Sequence, residues 1–348
     1  MTLRWGILGT GNIANTFAKG LLASKKNTLV AVGSRSTDTA IAFGTKYNVP
    51  SSQCYGSNEQ VLQDPNVDIV YICSPHPYHY DMVIKAAEAK KHILVEKPIA
   101  ITEQQVKKII DVCEKNQVFL MEAYMYRCHP QTHHLVELVR GDKIGQVKVI
   151  RANFNFDGRP LGPESRLWRY EDRGGALLDI GGYPMSLARL IAGVAQQKDF
   201  AEPIQIKGVG HIQKDTKVDE WVLASVEFEQ GITAQLFAGV FADDDCSVEI
   251  LGSKGSLRVP NLWRPDLPVL GPIQIEYKSF DGQASEIIPP SLEHLNLYTF
   301  EADAVADSIL EKKQLQCQDM TWDDTLGQVR AMDKWRHEIG LYFPEDKQ

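Results

Sequence analysis

The chain has 348 residues, 43% of them hydrophobic, which is more than one typical compact domain and enough to bury a core, so two domains are expected. A formal net charge of -8 excludes a nucleic-acid scaffold, whose phosphate contacts need a basic face, and leaves a small-molecule partner as the better fit. With no apolar signal core at the start and no run of about 18 apolar residues anywhere, the chain reads as cytoplasmic and free of membrane.

In chain order, Leu3 to Leu8 reads as a strand, Ile13 to Leu22 as a helix, Leu29 to Gly33 as a strand and Thr37 to Tyr47 as a helix. Ile69 to Cys73 and Ile93 to Val95 are short β-branched runs, separated by helical spacing over Tyr80 to Ala89. Thr102 to Asn116 opens with Thr102 and Gln105 at capping-box spacing and puts Val106, Ile109, Ile110 and Cys113 on one face. Phe119 to Glu122 is read as the sixth strand. This alternation predicts a doubly wound parallel Rossmann sheet closing near residue 125, so the expected domains are 1–125 and 126–348.

The pattern then changes. Val147 to Phe156, Gln205 to Ile212, Val222 to Phe228, Thr233 to Val240, Ser247 to Leu251 and Gly255 to Val259 are strand-like, several joined by turns too short for a helix. A large, mostly antiparallel sheet in an α+β domain follows, with one helix over Ala176 to Ala192. The proline-rich segment from Asn261 to Pro290 reads as long loops. Helices near Leu297 to Leu310 and Thr325 to Ile339 are expected to pack on the first domain or on the sheet.

Gly9-Thr10-Gly11-Asn12-Ile13-Ala14 follows the first strand and opens the first helix, matching G-x-G-x-x-A. Gly9 suits a tight turn, Gly11 a close approach to pyrophosphate, and Ala14 close helix–strand packing, while the helix N-terminus faces the phosphates. After the second strand, where NAD-specific sheets place a carboxylate on the ribose, stands Gly33-Ser34-Arg35-Ser36. A guanidinium flanked by hydroxyls suits a 2′-phosphate, so NADP is the expected cofactor. Ser74-Pro75-His76-Pro77-Tyr78-His79 and Glu96-Lys97-Pro98 lie at the carboxyl ends of the fourth and fifth strands, where open α/β sheets bind ligands.

The chain resembles the Gfo/Idh/MocA oxidoreductase family. The resemblance rests on the glycine motif, Ser74-Pro75 with His79, Glu96-Lys97-Pro98, Glu122-Ala123-Tyr124-Met125-Tyr126-Arg127 with Pro130, and Gly174 through Tyr183, all in the family's order. It implies an open-faced sheet domain beside the Rossmann domain, a homodimer or homotetramer built through that sheet, and Lys97 in the active site. One departure matters: many members carry D-x-x-x-H where this chain has Asp179-Ile180-Gly181-Gly182-Tyr183. Tyrosine at that place resembles the branch with glucose-fructose oxidoreductase, NADP-dependent aldose dehydrogenases and dimeric dihydrodiol dehydrogenase. Arg35 and the Trp168-Arg169 pair agree with NADP use in that branch.

The implied chemistry is hydride transfer between NADP(H) and a sugar or polyol carbon. Tyr183 serves as acid/base, Lys97 stabilises the phenolate or alkoxide, and Asp179 orients a substrate hydroxyl or Lys97. The cofactor set is Gly9, Thr10, Gly11, Asn12, Ile13, Ser34, Arg35, Ser74, Pro75, His79, Glu96, Lys97, Arg127, Trp168 and Arg169. A trans-1,2-dihydrodiol substrate is the alternative within enzymes, and a non-catalytic dinucleotide sensor is the alternative outside them. No metal is expected. His76, His79 and His129 lack ligand spacing, His79 is read as lining the cofactor side, and His133-His134 as surface helix. The cysteines (Cys54, Cys73, Cys113, Cys128, Cys246, Cys317) are scattered and read as reduced thiols.

Overall fold

A computed structural model describes residues 2–282, 285–288 and 296–347. It divides into one unit of Met1–Cys128 with Glu293–Leu326 and another of His129–Leu292 with Gly327–Gln348. In the first unit, β1 (Leu3–Leu8) is apolar on both faces, the pattern of a parallel strand covered by helices on either side. There follow α1 (Asn12–Ala23), β2 (Asn27–Gly33), α2 (Thr37–Lys46), β3 (Cys54–Tyr55), α3 (Asn58–Gln63), β4 (Ile69–Ile72), α4 (His79–Glu88), β5 (His92–Glu96), α5 (Glu103–Asn116) and β6 (Leu120–Ala123). All pairings are parallel, in the order β3-β2-β1-β4-β5-β6, so the order reverses at β1 beside β4. The third strand, to which sequence reading gave no residues, is only two residues long.

Trp5, Phe17 and Tyr71 form a ring chain in this core, with centroids 5.2 and 4.0 Å apart. Burying the Trp5 indole requires a partner for its N–H, which Asn27 Oδ1 supplies at 2.7 Å. Half of the capping box expected at α5 forms: Thr102 Oγ1 accepts from Gln105 N–H at 3.4 Å, while Gln105 Oε1 accepts from Ile101 N–H at 3.1 Å, one residue before the cap.

The second unit starts with α6 (Pro130–Arg140) and β7 (Val147–Asn155), then α7 (Gly182–Ala195), β8 (Gln205–Ile212), β9 (Asp219–Glu227), β10 (Thr233–Gly239), β11 (Val248–Gly252), β12 (Gly255–Val259), β13 (Ile275–Ser279) and β14 (Ser285–Ile288). They form an eight-stranded sheet in the order β14-β13-β12-β11-β7-β10-β9-β8, antiparallel apart from the β7–β10 pair. Two-residue alternation buries Val222, Ala224 and Val226 of β9 while Leu223 stands exposed on the other face. The segment from Asn261 to Pro290 is not all loop: β13 and β14 lie inside it, because Ile275 to Ser279 alternates and finds the free edge of β12. Pro289 and Pro290 lie outside the described residues.

The helix expected over Ala176 to Ala192 begins as a π-turn, Leu177–Gly181, before α7 proper. The chain returns to the first unit with α8 (Leu297–Ala306), which packs on α1, and a π-turn at Asp307–Glu311. Asp303 Oδ1 accepts from Asn27 Nδ2 at 2.8 Å, tying this return to the base of β2. The last helix, α9 (Trp322–Glu338), contributes to both units. Among the described residues no helix is long and apolar enough to cross a membrane.

Candidate functional site

The turn between β1 and α1 has the shape its sequence requires. Gly9 sits at φ +118°, a conformation that side chains rarely adopt, and a Cβ there would meet Cys73 Sγ at 3.2 Å. Gly11 is the N-cap of α1 and offers no side-chain acceptor, so the first N–H groups of the helix are not capped by it. A Cβ on Gly11 would meet nothing within 4 Å. That space in front of a helix N-terminus fits a dinucleotide pyrophosphate. Ala14 is fully buried under the turn.

At the end of β2, Ser34 is buried with its Oγ 3.2 Å from Thr10 Oγ1, linking the two loops. Ser36 caps α2 by accepting from Thr39 N–H at 3.2 Å. Arg35 between them is exposed and forms no ion pair among the described residues.

His79 differs from its sequence reading. It is fully buried, with Nδ1 2.8 Å from the Pro98 carbonyl and Nε2 2.7 Å from the Ser74 carbonyl. Both ring nitrogens are therefore engaged by backbone oxygens, and the ring joins the Ser74-Pro75 turn to the Glu96-Lys97-Pro98 turn. Glu122 Oε1 accepts from Ile99 N–H at 2.9 Å, and Glu96 Oε1 accepts from the Tyr71 hydroxyl at 2.5 Å. Burial and Glu96 together push the Tyr71 phenol well above its ordinary range. Half-buried Lys97 thus stands on a turn held at Glu96, Pro98 and Ile99.

Arg127, expected at the cofactor, has an acidic partner that sequence reading did not name. It is buried in an ion pair with Asp324, Nη2 to Oδ2 at 2.7 Å, in the same unit. Asp324 and Asp68 hold the same kind of distant basic partner, but only Asp324 does so without solvent.

Asp179, Tyr183, Trp168 and Arg169 belong to the second unit. Tyr183 is buried against Phe154, with centroids 5.2 Å apart, and Trp263, at 6.0 Å. Asp179 Oδ1 accepts from Arg166 Nη2 at 2.6 Å, a partner sequence reading did not name. Trp168 is half-buried, while exposed Arg169 reaches Asp172 at 3.3 Å. His129 caps α6, accepting from Gln131 N–H at 3.1 Å, and burial pushes its imidazole down to about 4. His133 and His134 lie on α6, where surface helix was expected. All six cysteines are free, and among the described residues no cluster of three or more His, Cys, Asp or Glu could hold a metal ion.

Sequence reading also missed Asp219, the first residue of β9. It is fully buried, and its Oδ2 accepts from Leu177 N–H at 2.6 Å, where the helix of Asp179 and Tyr183 begins. Burial raises its carboxyl from the ordinary 3.8 to about 7 against the backbone N–H groups that favour the charge. The folded state then binds this proton more tightly than the unfolded chain does, so this group's stabilisation is complete below pH 4 and is lost as pH rises toward 7. Asp219→Asn is expected to gain stability relative to the parent across that window, by at most about 1.4 kcal/mol per pH unit. Urea melts of the two proteins at several pH values check it, and a difference independent of pH refutes it.

Two family models match the chain: an oxidoreductase family with an NAD-binding Rossmann fold over residues 3–124 and the GFO/IDH/MocA C-terminal domain over residues 132–258. The chain is similar to trans-1,2-dihydrobenzene-1,2-diol dehydrogenase of Mus musculus, 30% identical over 356 residues and covering 100% of both chains. Among solved structures, KijD10, a 3-ketoreductase from Actinomadura kijaniata in complex with TDP-benzene and NADP, superposes with a TM-score of 0.83 at 25% identity, covering 99% of this chain and 100% of that one. The aldose-aldose oxidoreductase from Caulobacter crescentus shares the fold, with a TM-score of 0.83 at 23% identity, covering 97% and 98%. With both of its domains matched in order, and a full-length relative besides, the chain belongs to the GFO/IDH/MocA family of oxidoreductases.

Proposed function

We propose that the chain transfers a hydride between NADP(H) and a CH–OH carbon of a sugar or polyol, either C1 of an aldose such as D-xylose or D-glucose, or the carbonyl of a ketosugar in the reverse direction. The observation that carries the cofactor choice is exposed Arg35, with no ion pair among the described residues, directly after β2. Its fork of donors suits a 2′-phosphate, and no carboxylate stands at Gly33 to Ser36 to prefer a free ribose hydroxyl. Gly9, Thr10, Gly11, Asn12, Ile13 and Ser34 would hold the pyrophosphate and the near ribose, leaving Arg35 for the 2′-phosphate. When bound, NADP(H) supplies or accepts the hydride.

The chain's own residues manage the proton. Tyr183 accepts the hydroxyl proton in oxidation and returns it in reduction. A free phenol titrates near 10, so its anion needs a cation, and Lys97 supplies that charge from a turn held by His79, Glu96 and Glu122. Arg166 fixes Asp179 for a contact with a second substrate hydroxyl. The same reading has the protein assemble as a homo-oligomer on the outer face of the second sheet, where Val209 and Leu223 are exposed.

A trans-1,2-dihydrodiol is the second reading, favoured by the Phe154 and Trp263 rings beside Tyr183 and by the name of the mouse relative. Both readings present vicinal hydroxyls, so one screen separates them: aldoses, ketosugars and trans-dihydrodiols with NADP or NAD, in both directions, followed by nicotinamide absorbance. Sugar turnover supports the first reading and turnover of diols alone the second. Silence on all of them defeats both. On the best substrate, Arg35→Ala is expected to cut the preference for NADP over NAD by about 10- to 100-fold, the loss of a charged hydrogen-bonding group. An unchanged ratio removes the 2′-phosphate assignment.

A further inference from the structure

We propose that Asp219 is a positioning residue for Tyr183, acting through the turn that starts the Tyr183 helix; this rests on the acid/base reading of Tyr183. Asp219 belongs to the sheet, 42 residues along the chain from Leu177, whose N–H it binds at 2.6 Å. The first N–H groups of a helix have no partner within the helix, and here a remote strand provides one.

The neighbouring backbone is shaped around the same carboxylate. Gly175 sits at φ +107°, and a Cβ there would lie 2.2 Å from Asp219 Oδ1, so the second glycine of Gly174-Gly175 is what lets the acid reach the helix start. From that anchor the chain makes the π-turn Leu177–Gly181 and enters α7 at Gly182. A π-turn holds one residue more than an α-turn, so relaxing it to α would rotate everything downstream by about 100°. Tyr183 is two residues past its end. Gln328 Nε2 donates to the Gly182 carbonyl at 2.8 Å, pinning the far side of the turn. Asp219 fixes where the turn starts, Gln328 where it ends, and the Tyr183 ring is set between Phe154 and Trp263 as a result.

An ionised acid in this place is held against burial, which pushes its carboxyl up to about 7, while an asparagine would fill the same volume without that charge. The carboxylate differs in carrying a charge that the Leu177 N–H favours.

The test is Asp219→Asn, read by near-UV circular dichroism and by steady-state kinetics on the substrate found in the screen. The expected result is an altered aromatic spectrum, because Tyr183 shifts against Trp263, and a kcat lower by about 10- to 100-fold with KM little changed. In a Tyr183→Phe background the same substitution is expected to add almost nothing to the kinetic loss. Asp219→Asn with a parental spectrum and parental kcat overturns the positioning role. Tyr183→Phe with parental turnover overturns the acid/base reading alone, and the spectrum of Asp219→Asn still decides whether Asp219 sets the ring. If Asp219→Asn does not fold, Asp219→Ser, which keeps a short oxygen acceptor, gives the same comparison.

Discussion

Tyr183→Phe is expected to lower kcat on the best substrate of the screen by roughly 10²- to 10⁴-fold while leaving NADP affinity close to the parental value. The substitution removes one oxygen and keeps the ring, so the ring contacts with Phe154 at 5.2 Å and Trp263 at 6.0 Å are retained. On the proposed reading, what is lost is a group that exchanges a proton in the transition state, and such a loss appears in kcat rather than in ground-state binding. On the same reading Lys97→Met is expected to cost a similar factor, because it removes the charge proposed to favour the phenolate. If the two residues serve one proton transfer, the double variant is scarcely worse than either single one. Near-additive losses would assign Lys97 to cofactor binding instead, and full activity in Tyr183→Phe would end the acid/base assignment.

The parts of the fold legible in the sequence are those specified by local pattern. β1, α1, β2 and α2 emerged because apolar runs, a glycine turn and a Ser36 cap follow one another within 46 residues, each with its own short-range signal. The outer strands of the second sheet were harder. β13 was hidden by the prolines around it, although Ile275 to Ser279 carries the alternation of a half-buried strand, and its assignment depends on the edge of β12 being free.

The candidate site was legible as a list of residues and not as a set of partners. Glu96, Lys97 and Pro98 announce themselves as a tripeptide after a strand, yet nothing local says that His79 and Glu122 hold that turn. Asp179 has the right spacing to Tyr183, but Arg166 is fixed to it by a fold in the chain between them. The π-turn and Asp219 are the extreme case. An aspartate at the start of a strand reads as a turn residue, and only the sheet brings it to Leu177.

Asp324→Ala is expected to destabilise the first unit by about 3–5 kcal/mol, because it takes the carboxylate from a buried ion pair and leaves the Arg127 guanidinium buried without it. The pair joins a 3-10 turn after β6 to the first turn of α9, 197 residues apart, and the two side chains are only 5% and 3% exposed. Asp324 in addition accepts the favourable field of a helix N-terminus, where Thr321 Oγ1 takes its N–H at 3.2 Å. Nearby, Trp322 Nε1 donates to the Leu120 carbonyl at 3.1 Å, so the start of α9 is held to β6 by a second, neutral contact that survives the substitution. The unit should therefore loosen rather than lose its last helix, with a thermal midpoint lower by roughly 10 °C. Arg127→Met with Asp324→Leu separates charge from position: two apolar groups of similar size leave no stranded ion, and this double variant is expected to be more stable than Asp324→Ala. Because neither residue is then charged, cofactor binding by the double variant also decides the role the family resemblance gave Arg127. Parental NADP affinity in a folded double variant confines Arg127 to the ion pair, and a large loss of affinity restores it to the cofactor site.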